Sequence, residues 1–228
     1  MTTPRYRLAP SILSADFARL GEEVARVEPY SDLLHVDVMD GHFVPPITLG
    51  PVVVASLKAV TKLPLECHLM VSDPLGQLAQ FAEAGADSVL AHIEVVPDPT
   101  ALIERARSLG LGVGLAVNPE TPLDAVMPYL DGIDVLNCMT VHPGWAGQKF
   151  IADVLPKIAA ARREIDRRGL QVAVSVDGGL GLETGRRVLE AGATVLGAAS
   201  AIFGAPDAAQ AARELKEMLV SWESSAGH

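Results

Sequence analysis

The chain has 228 residues and a formal net charge of -10 at neutral pH. A surface that acidic argues against nucleic acid or an anionic membrane as the main partner, but it leaves room for a phosphate held locally by backbone N–H groups. Hydrophobic residues make up 49% of the chain and aromatics 4%, a mix that suits a parallel α/β core of small branched side chains.

In chain order, apolar runs of strand length fall at 7–12, 33–39, 65–70, 88–93, 111–117, 135–141, 171–176 and 194–199. Helical segments with turns of Gly, Pro and Asp separate them. Phe81, Ala84 and Gly85 close one helix, and Ile158, Ala161 and Ile165 mark the apolar stripe of another. Leu215, Met218, Leu219 and Trp222 give i, i+3, i+4, i+7 spacing on the last. Ala84-Gly85-Ala86-Asp87 and Ala191-Gly192-Ala193-Thr194 each read as a helix end, a Gly turn and a strand start. Eight such units predict a single-domain (β/α)8 barrel over residues 1–228, with 224–228 as a loose tail. The competing doubly wound sheet would need a GxGxxG after its first strand, and none is present. Arg5 and Arg7 precede no long apolar block, and the most apolar stretch, 193–205, is too short to span a bilayer. Cys67 and Cys138 lie in apolar segments and read as buried, reduced thiols. A soluble cytoplasmic protein is expected.

In a barrel of this kind the chemistry lies at the C-terminal ends of the strands. Polar residues gather there: Ser11, then His35, Asp37 and Asp40, His68, His92 and Glu94, Asn118, Thr140 and His142, and Asp177. Any one of them alone reads better as a helix cap or a satisfied buried group; their joint position is harder to explain that way. His35 and Asp37 share a strand face, with Met39 next in the row. His35, Asp37, His68 and Asp177 together offer two imidazoles and two carboxylates, which suits Zn, Mn, Fe or Co better than Mg or Ca. Strand seven lies across the barrel mouth from strands two and three. Asp37 and Asp177 would then face each other over a substrate, one removing a proton and the other delivering one, with a metal offsetting the charge of an enediolate. Glycine-rich turns follow strands six, seven and eight: Pro143-Gly144-Trp145-Ala146-Gly147-Gln148, Asp177-Gly178-Gly179 and Ala198-Ala199-Ser200. The last two occupy the usual phosphate cradle of barrel enzymes. A decarboxylase or aldolase would want a lysine at a strand end, and Lys58, Lys62, Lys149 and Lys157 are not so placed.

These pieces resemble the ribulose-phosphate 3-epimerase family. The resemblance is carried by Pro10-Ser11-Ile12-Leu13-Ser14-Ala15-Asp16-Phe17, by His35-Val36-Asp37-Val38-Met39-Asp40-Gly41-His42-Phe43-Val44-Pro45, and by Cys67-His68-Leu69-Met70-Val71. It continues in Met139-Thr140-Val141, Gly147-Gln148-Lys149-Phe150, Val176-Asp177-Gly178-Gly179 and Ser200-Ala201-Ile202-Phe203, in the family's order. The resemblance implies one divalent metal ion on His35, Asp37, His68 and Asp177, with Asp37 and Asp177 as a two-face acid/base pair. It implies interconversion of D-ribulose 5-phosphate and D-xylulose 5-phosphate at C3. Ser11 and His68 would contact the sugar. Gly144, Trp145, Ala146, Gly147, Gly178, Gly179, Ala199 and Ser200 would hold the phosphate, and Met39, Met70 and Met139 would line the reaction centre. It also implies a homo-oligomer with a small sugar phosphate as its ligand. The chain departs from the family's pattern at Pro46, Trp145, Ala146, Ala199, Asn137 and Cys138. The changes at the mouth keep open the same chemistry on another ketose phosphate, such as a hexulose 6-phosphate. A non-catalytic sugar-phosphate-binding barrel would be expected to lack an acid/base residue, and both are present.

Overall fold

The structure, a computed structural model, describes residues 5–226. Eight parallel strands form one sheet: β1 Arg7–Pro10, β2 Leu34–Met39, β3 Leu65–Met70, β4 Ser88–His92, β5 Gly112–Val117, β6 Val135–Met139, β7 Ala173–Asp177 and β8 Val195–Ala198. Neighbours pair in sequence order from β2 to β8, and β8 pairs back onto β1. A bridge between Ser11 and His35 closes the remaining seam between β1 and β2. The result is the (β/α)8 barrel expected from the alternating pattern.

The α-helices are α1 Leu20–Val27, α2 Pro51–Lys58, α3 Pro74–Ala84, α4 Pro99–Ser108, α5 Leu155–Arg168, α6 Leu182–Glu190, α7 Ser200–Phe203 and α8 Ala208–Ala226. Local chemistry sets their starts. Asp73 and Asp98 accept from the N–H groups of Gly76 and Ala101 at 3.0 and 3.1 Å, each just ahead of a proline in the first turn. Gly85 and Gly192 take positive φ at the two helix-to-strand turns that the sequence marks. The fifth connection departs from the expected pattern. Between β5 and β6 the chain makes only 3₁₀ turns, Leu123–Ala125 and Met127–Gly132. Pro119, Pro122 and Pro128 lie in this stretch, and each removes an N–H that an α-helix interior would need. The end of the chain departs too. α8 runs through Ala226, so residues 224–226 of the expected loose tail are helical; 227 and 228 lie outside the described residues.

The two faces of the sheet differ sharply. Val36, Val38, Leu65, Cys67, Leu69, Val89, Val113, Leu115, Leu136, Val174 and Leu196 alternate along the strands and join one large cluster with the helices. Ile158, Ala161 and Ile165 of α5 and Leu215, Met218 and Leu219 of α8 belong to it. The intervening residues face the barrel interior. At its N-terminal end they are apolar, with Ala9, Leu33 and Val195 packed together. Higher up they are polar and buried: His35, Asp37, Glu66, His68, His92, Asn137, Ser175 and Asp177. The first strand and the last helix are tied to the barrel's base. Lys216 of α8 pairs with Asp32 at 2.6 Å, and the same carboxylate accepts from the N–H of Leu8 at 2.8 Å. No described helix is long and apolar enough to cross a membrane.

Gly114 marks how tightly the interior is filled. A methyl group there would lie 2.4 Å from Cδ2 of Leu90 and 2.6 Å from the carbonyl oxygen of Val135. Gly114→Ala is expected to cost about 1–3 kcal/mol through overpacking, lowering the thermal midpoint by roughly 2–12 °C for a domain of this size. An unchanged melting curve would contradict this packing.

Candidate active site

β2 and β3 lie side by side, with Asp37 opposite His68 in the register. β7 approaches from the far wall, separated from β2 by β8 and β1. His35, Asp37, His68 and Asp177 point inward from these strands, and one ligand atom of each lies within 4.8 Å of all the others. Nε2 of His35 is 3.2 Å from Nδ1 of His68, 3.4 Å from Oδ1 of Asp37 and 3.7 Å from Oδ2 of Asp177. Nδ1 of His68 is 3.2 Å from Oδ1 of Asp37 and 3.5 Å from Oδ2 of Asp177. Burial opposes charge on His35, but the Asp37 and Glu66 carboxylates outweigh it, and the imidazole is raised well above its usual range. His68 is raised in the same way against burial, through bonds to Asp177 and Asp37. Asp37, despite burial, is held well below the usual carboxylate range by the two histidines. The point where the four groups meet therefore favours positive charge. Two imidazole and two carboxylate donors turned on one point fit a borderline divalent cation in tetrahedral or higher coordination.

Outer partners hold these side chains in place. The Ser11 hydroxyl donates to Oδ2 of Asp37 at 2.5 Å. Glu66 accepts from Nδ1 of His35 at 3.0 Å. Glu66 was not singled out from the sequence, although it lies two residues before His68 and so on the same inward row. His92 and Glu94, expected at the end of β4, form a pair 3.1 Å apart, and His92 touches His68. Asp40, at the end of β2, accepts from Ser72, His42 and Phe43 and pins the loop above the cluster. Those bonds hold its carboxyl well below the usual range although burial opposes them. Thr140 donates from both N–H and hydroxyl to the carbonyl of Asp177, at 2.8 and 2.9 Å, which fixes the end of β7. Gly197 of β8 leaves space beside Asp177, where a methyl group would lie 3.3 Å from Oδ1.

A pocket of about 470 Å³, open to solvent, lies above the cluster. Asp37, Asp177 and Ser11 form its floor, with Met39, Met70 and Met139 around them. Gly144, Trp145, Ala146, Gly147, Gly178, Gly179, Ala199 and Ser200, all expected from the glycine-rich turns, line it as well. His142, noted at its strand end, and Pro143 and Gln148, at the two ends of the glycine-rich turn, also line it, as do Leu13, Val141 and Leu180, which reading strand ends and turns did not single out for this role. His35 and His68 do not line it. Both are almost fully buried. Gly178 and Gly179 have φ of 110° and 66°, and a methyl group on Gly179 would lie 2.7 Å from the backbone nitrogen of Phe150. Only glycine permits that turn. Ala146 and Ala199, which stand where the resemblance has glycine, do not take positive φ; among the described residues only glycines do. Trp145 stands 64% exposed at the rim. Asn137, beneath the pocket, donates to the sulfur of Met139 at 3.5 Å. No lysine lies on a strand.

The model of the Ribulose-phosphate 3 epimerase family matches residues 7–203. Ribulose-phosphate 3-epimerase of Bacillus subtilis is 45% identical over 185 residues, covering 80% of this chain and 85% of its own length. The Synechocystis enzyme of the same name is 48% identical over 176 residues, covering 76% of each chain. The chloroplastic ribulose-5-phosphate-3-epimerase of Arabidopsis thaliana is 45% identical over 214 residues, covering 92% of this chain and 75% of its own. Among solved structures, 3-hexulose-6-phosphate synthase from Salmonella typhimurium superposes with a TM-score of 0.72 at 20% identity, covering 95% of this chain and 99% of that one. KGPDC from Streptococcus mutans does so with a TM-score of 0.72 at 17% identity, covering 96% and 99%. These two likenesses concern the fold alone. A family match that spans every strand and every residue of the polar cluster, with relatives of this similarity, makes the chain a member of the ribulose-phosphate 3-epimerase family of isomerases.

Proposed function

We propose that the chain interconverts D-ribulose 5-phosphate and D-xylulose 5-phosphate by moving a proton at C3. The observation that carries this reading is the meeting of Asp37 and Asp177, from facing walls of the barrel, at the floor of a glycine-rimmed pocket. The substrate's C2 carbonyl acidifies the C3 proton. One carboxylate removes it from one face, and the other delivers a proton to the opposite face of the planar enediolate, inverting C3. In the reverse reaction the two exchange roles. Ser11 holds Asp37 through Oδ2, and Thr140 holds the backbone that presents Asp177. Met39, Met70 and Met139 surround the reacting carbon with soft apolar surface that excludes water.

His35, Asp37, His68 and Asp177 would hold one divalent ion, of the Zn, Mn, Fe or Co class. When bound, such an ion supplies positive charge against the negative charge that develops on the substrate oxygens as the proton leaves. The phosphate would be received by backbone N–H groups of the Gly178-Gly179 and Ala199-Ser200 turns, under the loop of Gly144, Trp145, Ala146 and Gly147. The names of the relatives support the choice of pentulose. The rim residues that depart from the pattern of the resemblance, Pro46 beside Gly144 and the exposed Trp145, are the reason to rank a panel of ketose phosphates, including a hexulose 6-phosphate, by kcat/KM.

Turnover in D₂O is expected to place deuterium at C3 of the product; unlabelled product would rule out proton exchange by this pair. Asp37→Asn and Asp177→Asn are each expected to lower kcat by about 10²–10⁴-fold or more, and a variant with near-normal turnover would remove that residue from the mechanism. Zn²⁺ or Co²⁺ at about one hundred times its Kd is expected to stabilise the folded protein by about 2.7 kcal/mol; His35→Ala should abolish that thermal shift. Gly179→Ala is expected to raise KM for the sugar phosphate about tenfold or more, by misplacing the phosphate turn. An unchanged KM would place the phosphate elsewhere.

A further inference from the structure

His35 and His68 both face the cluster, but their outer ring nitrogens are held differently. Nδ1 of His35 meets the Glu66 carboxylate directly, at 3.0 Å. Nε2 of His68 meets no carboxylate; it lies 2.9 Å from Nε2 of His92, and the two ring planes are 17° apart. Nδ1 of His92 in turn lies 3.1 Å from Oε2 of Glu94. The other oxygen of Glu94 accepts from the N–H of Asn118 at 2.8 Å and from the Thr121 hydroxyl. That loop is itself held: Nζ of Lys157 donates to the carbonyls of Asn118, Pro119 and Thr121 at 2.8, 2.8 and 2.6 Å. Phe43 packs over the His92 ring with centroids 4.8 Å apart, and His92 has no exposed surface.

The donors and acceptors in this chain can be ordered by elimination. An ionised carboxylate only accepts, so Nδ1 of His92 carries a proton. A neutral imidazole has one N–H, which leaves a lone pair on Nε2 of His92. His68 must then donate from Nε2, which leaves Nδ1 as the nitrogen that gives up its proton and offers a lone pair when a cation takes that proton's place. That is the atom 3.2 Å from Asp37 and 3.5 Å from Asp177. The direction of every bond is set at Glu94, two hydrogen bonds away from His68.

We propose that Glu94 and His92 form a positioning relay that fixes the tautomer and ring orientation of His68 and so sets the affinity of the four-residue cluster for a divalent cation. The proposal rests on the reading that the cluster binds such an ion. His35 has its orienting carboxylate in direct contact, whereas His68 has one at a distance of one imidazole ring. Outer partners of this kind typically govern 10–100-fold in metal affinity.

The test compares wild type with Glu94→Gln and Glu94→Asp. The loop donors at Asn118 and Thr121 claim the amide oxygen of the glutamine, which turns its NH₂ toward His92 and reverses the proton order. Affinity for Zn²⁺ and Co²⁺ is measured by competition with a chromophoric chelator. The visible spectrum of the Co²⁺-loaded protein and the ring ¹⁵N shifts of His92 in the Zn²⁺-loaded protein are recorded alongside. E94Q is expected to bind both ions about 10–100-fold more weakly, with altered Co²⁺ bands and a changed His92 tautomer; E94D, which keeps an acceptor, should lie between. Wild-type affinity and spectra in E94Q would overturn the relay. If E94Q does not fold, H92F carries the same test: it leaves Nε2–H of His68 without an acceptor, and unchanged affinity there would overturn the relay equally. A wild-type protein that takes up neither ion would refute the metal reading itself, a result distinct from equal affinity in wild type and variant.

Discussion

The constraint on which the rest of this molecule depends is electrostatic. Two imidazoles and two carboxylates converge inside the barrel, and the groups around them make positive charge favourable where they meet. Burying ionisable groups costs free energy unless each finds a partner. Here the partners form two shells. Ser11, Glu66 and His92 touch the inner four, and Glu94, itself held by Asn118 and Thr121, holds His92. The outward face of the same strands carries the stabilising load, as one large cluster of Val, Leu and Ile packed against the helices. The alternation of the strands separates these tasks residue by residue, so that Val36 and Val38 serve the core while His35 and Asp37 serve the site.

The seam of the barrel lies at the same place as the chemistry. β1 and β2 are the two ends of the hydrogen-bonded sheet, and the bridge between Ser11 and His35 joins them. Ser11 thus closes the barrel with its backbone and holds Asp37 with its hydroxyl. Closure of the fold and orientation of the Asp37 carboxylate are set by one residue.

Much of this was legible in the sequence, and for physical reasons. The strands were visible because a fully buried parallel strand is an apolar run of small branched residues, and their ends were off by only a residue or two. Those ends are set by side chains such as Thr140 turning back on Asp177, which no periodicity encodes. The four inner residues were visible because charged groups at apolar strand ends stand out. Glu66 was obscured by reading Leu65 to Met70 as an apolar strand with a single polar end. The relay through His92 was obscured for another reason. His68 pairs in register with Leu90, not His92, so the contact depends on the twist of the sheet and not on adjacency. The fifth connection was misread as helical because its apolar residues hide how its prolines interrupt the N–H series. The C-terminal residues 224–226 look like a polar tail, but they continue a helix that is anchored further back by Leu215, Leu219 and Lys216.

The pairing of Arg7 with Val195 and the clasp between Asp32 and Lys216 join segments far apart along the chain. A nascent chain lacking its last strand and helix holds β1 without its ladder partner, and two raw sheet edges stay open to other chains. The ring can shut only once β8 has left the ribosome, so the interval before that is when this chain is most exposed to mispairing and most in need of chaperone cover.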